Sequence, residues 1–351
     1  MPSLLEFTQT ELAQWLEDEL GEKRFRSQQI FQWLWQKLAR DFAQMSNVSQ
    51  QTRQVLAEKA TIPWPKLVTV QKSQDATTKF LLEFSDGARV ETVLIPSEDH
   101  TGRIRWTQCL SSQIGCPMAC TFCATGQSGF TRNMTAGEIL SQVLIGRDYL
   151  GDTRPDHPIV RNLVFMGMGE PLMNTQALLK ALAILNDPHG LAFSPRRITV
   201  STCGIKDGLE KLGQAGLSFL AVSLHAPNQA IREKIMPRAA KLPLKELLTA
   251  LRNYPLKNRE HITFEYLLLR DVNDSPAQAH ELAKIVHSVH GKLNLIVYNA
   301  TNGPYQAPSP ERVLAFEKAL WSHHLTAIVR QSKGQDIDAA CGQLKARFDN
   351  G

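Results

Sequence analysis

The chain has 351 residues, 43% of them hydrophobic and 21% charged, with 21 Gly, 18 Pro and 6 Cys. This length suggests about two domains and buries a large core without staples, and the composition argues against a disordered, collagen-like or disulfide-scaffold protein. The net charge of +5 permits an anionic partner without demanding one, and the longest apolar stretch, around Leu217 to Leu224, falls well short of the ~20 residues of a membrane span.

Residues 1–22 hold no Lys or Arg but six acids, the reverse of a targeting sequence. A cytoplasmic, reducing compartment is therefore expected, with cysteines as thiols or metal ligands. Thr8 to Leu20 and Val48 to Ala60 read as helices, and apolar residues at 30, 31, 34, 35 and 38 give a third. Residues 1–60 thus form an expected helical domain, ended by Ile62-Pro63-Trp64-Pro65. Residues 61–103 read as a linker and a hairpin. Its strands are Phe80 to Phe84 and Arg89 to Ile95, joined at Ser85-Asp86-Gly87. Pro96 to Gly102 reads as a loop.

From 104 to 351, strands alternate with helices. The strands are Thr107–Ser111, Asn162–Met166, Ile198–Ser201, Phe219–Leu224, Ile262–Leu269, Leu293–Val297 and Thr326–Val329. Between them lie amphipathic helices such as Thr135–Tyr149, Thr175–Leu185, Pro276–Val289 and Glu311–Trp321. This alternation predicts an α/β fold with a parallel sheet, an open or partial (β/α) barrel. Chemistry in such folds sits at the C-terminal strand ends.

Cys116, Cys120 and Cys123 form C-x3-C-x2-C in a Gly-flanked loop after a strand. Three thiolates so close can wrap one metal centre. Iron–sulfur clusters normally take four Cys; with three, one iron stays open for another ligand. A structural zinc site is the alternative, but zinc usually takes paired C-x2-C and a fourth Cys or His. No second pair exists, and the nearest histidines, His100 and His157, are far along the chain.

With Phe122 before its last Cys, the loop resembles the radical S-adenosylmethionine (SAM) signature. Five ordered motifs extend the likeness: Val90-Glu91-Thr92-Val93-Leu94-Ile95-Pro96, Cys109-Leu110-Ser111-Ser112-Gln113-Ile114-Gly115-Cys116, Gly167-Met168-Gly169-Glu170-Pro171-Leu172, Ser223-Leu224-His225-Ala226-Pro227-Asn228 and Asp336-Ile337-Asp338-Ala339-Ala340-Cys341-Gly342-Gln343-Leu344. Together they resemble the RlmN/Cfr group of radical SAM RNA adenine methyltransferases over nearly the whole chain. Phe25-Arg26-Ser27-Gln28-Gln29 with Gln32-Trp33-Leu34 resembles that group's N-terminal helical, RNA-docking domain.

The resemblance implies a radical SAM-type partial barrel with an N-terminal helical accessory domain and a linking β-hairpin. It implies a 4Fe-4S cluster on Cys116, Cys120 and Cys123, and SAM on the open iron. The reaction implied is methylation of adenine carbon 2 in 23S rRNA and tRNA, using two SAM per turnover. A Cfr-like carbon-8 enzyme and a non-catalytic, zinc-stabilised RNA-binding protein are the alternatives. The electron donor expected is one such as flavodoxin or ferredoxin. Cys341 is the implied methyl carrier, Cys109 the resolving thiol that forms a transient disulfide with it, and Glu91 the implied proton acceptor, with Cys109 as the alternative for that step. Gly169, Glu170, Ser201, Ser223, Leu224, His225 and Asn299 are the implied SAM shell. Cys203 has no counterpart role and reads as packing. Candidate RNA phosphate contacts are Arg103, Arg105, Arg196, Arg197, Arg330, Lys333, Lys345, Arg347, Lys23, Arg24 and Arg26; Trp33 and Trp35 read as core.

Overall fold

The computed structural model describes residues 1–99, 101–153, 158–257, 260–301 and 303–346. His100, His157 and Arg347 lie outside the described residues. The chain opens with α1 (Gln9–Leu20), α2 (Phe25–Trp35) and α3 (Gln50–Lys59). Thr8 starts α1 with a capping box: its hydroxyl accepts from the Glu11 amide while Glu11 Oε2 accepts from the Thr8 amide at 2.8 Å. The apolar spacing that reaches Leu38 outruns α2. Leu38 is buried beyond the helix in a left-handed conformation (φ 56°), so packing rather than helix period fixes it.

The central sheet begins with three antiparallel strands, β1 (Lys66–Lys72), β2 (Thr78–Glu83) and β3 (Arg89–Glu98). β3 also pairs antiparallel with β4 (Ile104–Cys109), the first strand of the barrel proper. The expected loop at Pro96 is instead the end of β3, with Pro96 opposite Trp106. β2 pairs with β3 only as far as Leu94, so Pro96 sits where β3 has one neighbour and a missing donor is tolerated.

A short hairpin, β5 (Gln113–Gly115) and β6 (Phe130–Asn133), brackets the cysteine loop and the single turn α4 (Ala124–Gln127). The barrel units follow: α5 (Ala136–Tyr149), β7 (Val160–Phe165), α6 (Thr175–Asn186), β8 (Ile198–Thr202), α7 (Lys206–Ala215) and β9 (Phe219–Ser223). Next come α8 (Gln229–Ile235), α9 (Leu244–Arg252), β10 (Thr263–Leu268), α10 (Pro276–Ser288), β11 (Lys292–Val297), α11 (Pro310–Trp321) and β12 (Ala327–Arg330). The ten-stranded sheet runs β1-β2-β3-β4-β7-β8-β9-β10-β11-β12, and every neighbouring pair from β4 onward is parallel. The parallel strands carry apolar runs such as Phe219 to Val222, as sheets covered on both faces require.

β1 and β12 are the two sheet edges, so the barrel is open between them. The C-terminal segment crosses this opening. Lys333 Nζ donates to the Pro96 carbonyl at 2.8 Å, the Gly334 amide to Asp75 Oδ2 at 3.0 Å, and Ser73 Oγ to Asp336 Oδ1 at 2.6 Å. The β1–β2 turn thus anchors the segment that carries Cys341.

The N-terminal helices do not stand apart. Leu4, Leu12, Ile30, Phe31 and Trp35 join Ile139, Val143 and Leu182 of α5 and α6 in one continuous hydrophobic core. Arg147 Nη1 donates to the Trp35 carbonyl at 2.8 Å, and Arg40 pairs with Asp148 at 2.6 Å. No helix among the described residues is long and apolar enough to cross a membrane.

Candidate active site

A cavity of about 1020 Å³, counted out to its open mouth, lies at the C-terminal ends of the parallel strands. It gathers Cys116, Cys120, Cys123, Gly169, Glu170, Ser201, Ser223, His225 and Cys341 from sequence positions as far apart as 116 and 341. Leu224, Asn299, Glu91 and Cys109 are not among its lining residues.

The cysteine loop is shaped by close backbone packing. Gly115 has φ 76°, and a Cβ there would collide with the Gly129 carbonyl oxygen. The same carbonyl accepts from the Cys116 amide at 2.7 Å. On the far side of the loop, the Ile235 carbonyl at the end of α8 accepts from both the amide (3.0 Å) and the hydroxyl (3.2 Å) of Thr121. Burial pushes the Cys116 thiol up to about 12 and that of Cys120 well above its usual range. The neighbouring thiols oppose ionisation as well. Thiolate ligation therefore needs a cationic centre to stabilise it. Among the described residues no three His, Cys, Asp or Glu side chains converge as a single ion demands. Cys116, Cys120 and Cys123 line one cavity, and three thiolates on a 4Fe-4S cluster leave its fourth iron open for another ligand. The donor set is soft and sulfur-only, which also suits iron–sulfur.

The glycines of Gly167-Met168-Gly169 close β7. Gly169 has φ 101°, and a Cβ would meet Gln113 Cβ at 2.6 Å, so only glycine fits between this turn and β5. Glu170 is buried behind it. Its Oε1 accepts from the Leu172 amide at 3.0 Å and its Oε2 from the Cys203 amide at 2.8 Å. Burial raises its pKa against these bonds. Ser201 and Ser223 close neighbouring strands with their hydroxyls 3.3 Å apart. Leu224 is fully buried in the main core, and its amide donates to the Glu265 carbonyl at 3.1 Å.

His225 sits in a left-handed conformation (φ 52°) against the Phe122 ring, centroids 5.1 Å apart. Its Nδ1 accepts from the Leu267 amide at 3.0 Å, which leaves Nε2 as the protonated nitrogen. Burial first, and then the Arg232 charge, lowers its pKa from 6.5 to about 3. The unfolded chain binds the extra proton between those values, so this contribution to stability is complete above about pH 6.5 and is lost as pH falls toward 3. The stability advantage of the wild type over His225→Gln is expected to shrink between pH 7 and pH 5 in matched thermal melts. An advantage independent of pH would contradict the neutral, acceptor assignment.

Cys341 faces the cavity's solvent and is exposed, yet protein atoms around it raise its thiol pKa by desolvation. Its carbonyl accepts from Asn299 Nδ2 at 3.2 Å, and the next carbonyl, of Gly342, accepts from the Ala124 amide at 2.8 Å. Asn299 thus serves the Cys341 segment in this structure. Cys109 ends β4 in a buried place, where desolvation and then the nearby Cys341 thiol raise it to about 12. All six cysteines are free, so the expected Cys109–Cys341 disulfide is not formed. Burial favours the protonated Cys109 thiol.

Glu91 is no exposed strand carboxylate. It is buried, with Oε1 3.1 Å from Lys79 Nζ and Oε2 accepting from the Lys345 and Ala346 amides at 2.8 and 3.0 Å. Lys79 Nζ also donates to the Asp338 carbonyl at 3.2 Å. The pair clasps the chain on both sides of Cys341. Sequence reasoning missed Lys79, Thr125, Glu265 and Arg232. Thr125 donates to the Leu344 carbonyl, and Glu265 lines the cavity 3.9 Å from Arg330. Glu265 was findable as an acid inside the apolar run Phe264-Glu265-Tyr266.

Several candidate RNA contacts are engaged within the protein. Arg105 pairs with Asp99 at 2.7 Å, Arg26 with Glu22 at 3.4 Å and Arg24 with Glu17 at 3.8 Å. Arg197 donates to Asn162 at 3.3 Å. Lys23, Arg103 and Arg196 are exposed. Trp35 is core as expected, while Trp33 is half-buried with Lys37 Nζ 3.8 Å above its ring.

Comparison with known proteins agrees with this geometry. Residues 3–62 match the family described as ribosomal RNA large subunit methyltransferase N-terminal domain, and residues 110–283 match the radical SAM superfamily. The dual-specificity RNA methyltransferase RlmN of Nitratidesulfovibrio vulgaris is 64% identical over 347 residues, covering 99% of this chain and 95% of that protein. The protein of the same name from Oleidesulfovibrio alaskensis is 59% identical, covering 100% and 98%. The crystal structure of a radical SAM methyltransferase from Sphaerobacter thermophilus superposes with a TM-score of 0.91 at 38% identity, covering 99% of this chain and all of that one. With the cysteine loop at the strand ends and such likeness along its whole length, the chain belongs to the RlmN family of radical SAM RNA methyltransferases.

Proposed function

We propose that this enzyme methylates carbon 2 of adenine at the peptidyl-transferase adenosine A2503 of 23S rRNA and at A37 of tRNA. The observation that supports this reading best is the placement of Cys341 in the same cavity as Cys116, Cys120 and Cys123. Adenine carbon 2 is electron-poor, so direct transfer of a methyl cation to it is disfavoured and a carbon radical is the better reagent. When bound, a 4Fe-4S cluster on the three cysteines and SAM supply one-electron cleavage and an adenosyl radical.

The chain's own residues do the rest. The Cys341 thiol, once deprotonated, takes the first methyl group on sulfur. After that methyl loses a hydrogen atom, its carbon bonds to adenine; the adduct then gives up the ring proton and one electron, which a bound cluster would take back, and the base is left joined to Cys341 through a thioether. The Cys109 thiol attacks the Cys341 sulfur, the carbon–sulfur bond breaks, and a disulfide replaces it. Its electron pair leaves with the carbon, which takes a proton to become the product methyl. Glu91, a buried carboxylate held against the carrier segment, accepts the ring proton after the Lys345 and Ala346 amides release it. Glu170, Ser201, Ser223 and His225 line the space proposed for SAM. A flavodoxin or ferredoxin supplies the electron, the N-terminal helices dock RNA, and the compartment is cytoplasmic.

Cys120→Ala is expected to abolish the cluster, because two thiolates do not hold a cubane stably. Iron and sulfide analysis with absorbance near ~400 nm checks this. Full iron content in a folded Cys120→Ala protein would contradict the ligand assignment.

A further inference from the structure

Arg232, on α8, is fully buried, yet no carboxylate among the described residues pairs with it. Its Nη1 donates to the Ala239 carbonyl at 3.1 Å and its Nη2 to the Cys203 carbonyl at 2.7 Å. Its Nε has no partner among the described residues. Guanidinium stays charged in proteins, and two neutral carbonyls do not neutralise it. A buried, unpaired charge is costly. The fold therefore holds a cation ready for an anion that none of its own carboxylates supplies.

The surroundings say which anion. Cys203 lines the cavity beside Cys116, Cys120 and Cys123. Ile235, one turn after Arg232, binds the cysteine loop through its carbonyl, so α8 and that loop form one packed unit. Cys203 and Ile235 belong to one apolar cluster, and Cys116, Cys120 and Cys123 pack against it. The nearby Arg238 donates to the Pro117 carbonyl at 2.7 Å, but it lies at the surface, where water screens it.

We propose that Arg232 sets the reduction potential of the iron–sulfur cluster, its fixed positive charge stabilising the electron that the cluster accepts. The inference rests on the cluster reading given above. A cluster held by three thiolates is anionic, and accepting one electron from a flavodoxin- or ferredoxin-type donor makes it one charge more negative. No bond or proton changes hands. In a buried site of low dielectric, a nearby cation lowers the energy of the reduced form more than that of the oxidised form. Arg232 thereby eases the least favourable electron transfer of the cycle.

The test is an anaerobic redox titration followed by electron paramagnetic resonance on wild type, Arg232→Met, Arg232→Lys and Arg238→Gln, with iron and sulfide counted for each. Wild type without a cluster would sink the cluster reading itself, whereas the following outcomes bear on Arg232 alone. Arg232→Met is expected to show an about tenfold lower ratio of reduced to oxidised cluster at a fixed potential, equivalent to about 59 mV. Arg232→Lys is expected to stay within about twofold of wild type, and Arg238→Gln likewise, because its charge is screened. A loaded Arg232→Met protein with unchanged potential would overturn the proposal. If Arg232→Met fails to load, Arg232→Lys decides: native loading and potential support the charge, while failed loading or an about tenfold drop shows that guanidinium packing is what matters.

Discussion

Expressed in cells, the Cys109→Ala enzyme is expected to accumulate as a covalent protein–RNA species. In the proposed mechanism Cys341 acts early, taking a methyl group before any carbon–carbon bond forms, whereas Cys109 acts only after the adduct exists. Without the Cys109 thiol, the Cys341–RNA thioether has no partner to cleave it. Cys109 lies buried at the end of β4, where the Cys341 thiol is among the groups that oppose its ionisation. Loss of a merely packing cysteine would lower stability and make no cross-link. The check is denaturing electrophoresis with and without ribonuclease, followed by peptide mass spectrometry. A folded, cluster-loaded variant without an RNA-linked band would contradict the two-cysteine account, and a methyl group found on Cys109 would reverse the assignments.

Lys79→Met is expected to slow methylation of Cys341 by about a hundredfold, the scale of loss seen when a reacting group is misplaced by an ångström. Lys79 joins Glu91 to the Asp338 carbonyl, and Glu91 holds the Lys345 and Ala346 amides, so the pair fixes both sides of Cys341. Removing the lysine leaves a buried carboxylate without its cation, a change that costs about 3–5 kcal/mol. The segment relieves that cost by loosening and carries Cys341 away with it. Cluster content is expected to stay native, because the cysteine loop is held by β6 and α8 instead. Single-turnover labelling with methyl-labelled SAM, read by peptide mass spectrometry, measures the rate, and Lys79→Arg is expected to restore part of it. Normal Cys341 methylation in Lys79→Met would show that the clasp does not position the carrier.

Several of the parallel strands were legible because they are short apolar runs, as in Phe219 to Val222 or Leu295 to Val297. β1 was not, because Lys66–Lys72 is an edge strand whose Leu67 and Val70 are exposed, leaving no buried face to set a period. The β5–β6 hairpin was missed because its strands are only three and four residues long. In the site, Cys116, Cys120 and Cys123 announce themselves because their ligand spacing is local. The Lys79–Asp338 contact spans 259 residues, and Arg232 reaches back 29 residues to Cys203, so neither leaves a local pattern. Glu91 was legible as a motif residue, but its clasp was not, since its amide partners lie 254 and 255 residues away.

The most direct measurement is nucleoside mass spectrometry of 23S rRNA and tRNA after incubation with cluster-loaded enzyme, SAM and a flavodoxin reducing system. RNA taken from cells lacking such a methyltransferase provides an unmodified substrate. The account predicts 2-methyladenosine in both RNAs, with the transferred methyl carbon passing first through Cys341. Formation of 8-methyladenosine, or of no methyladenosine by an enzyme that holds its cluster and cleaves SAM, would contradict it.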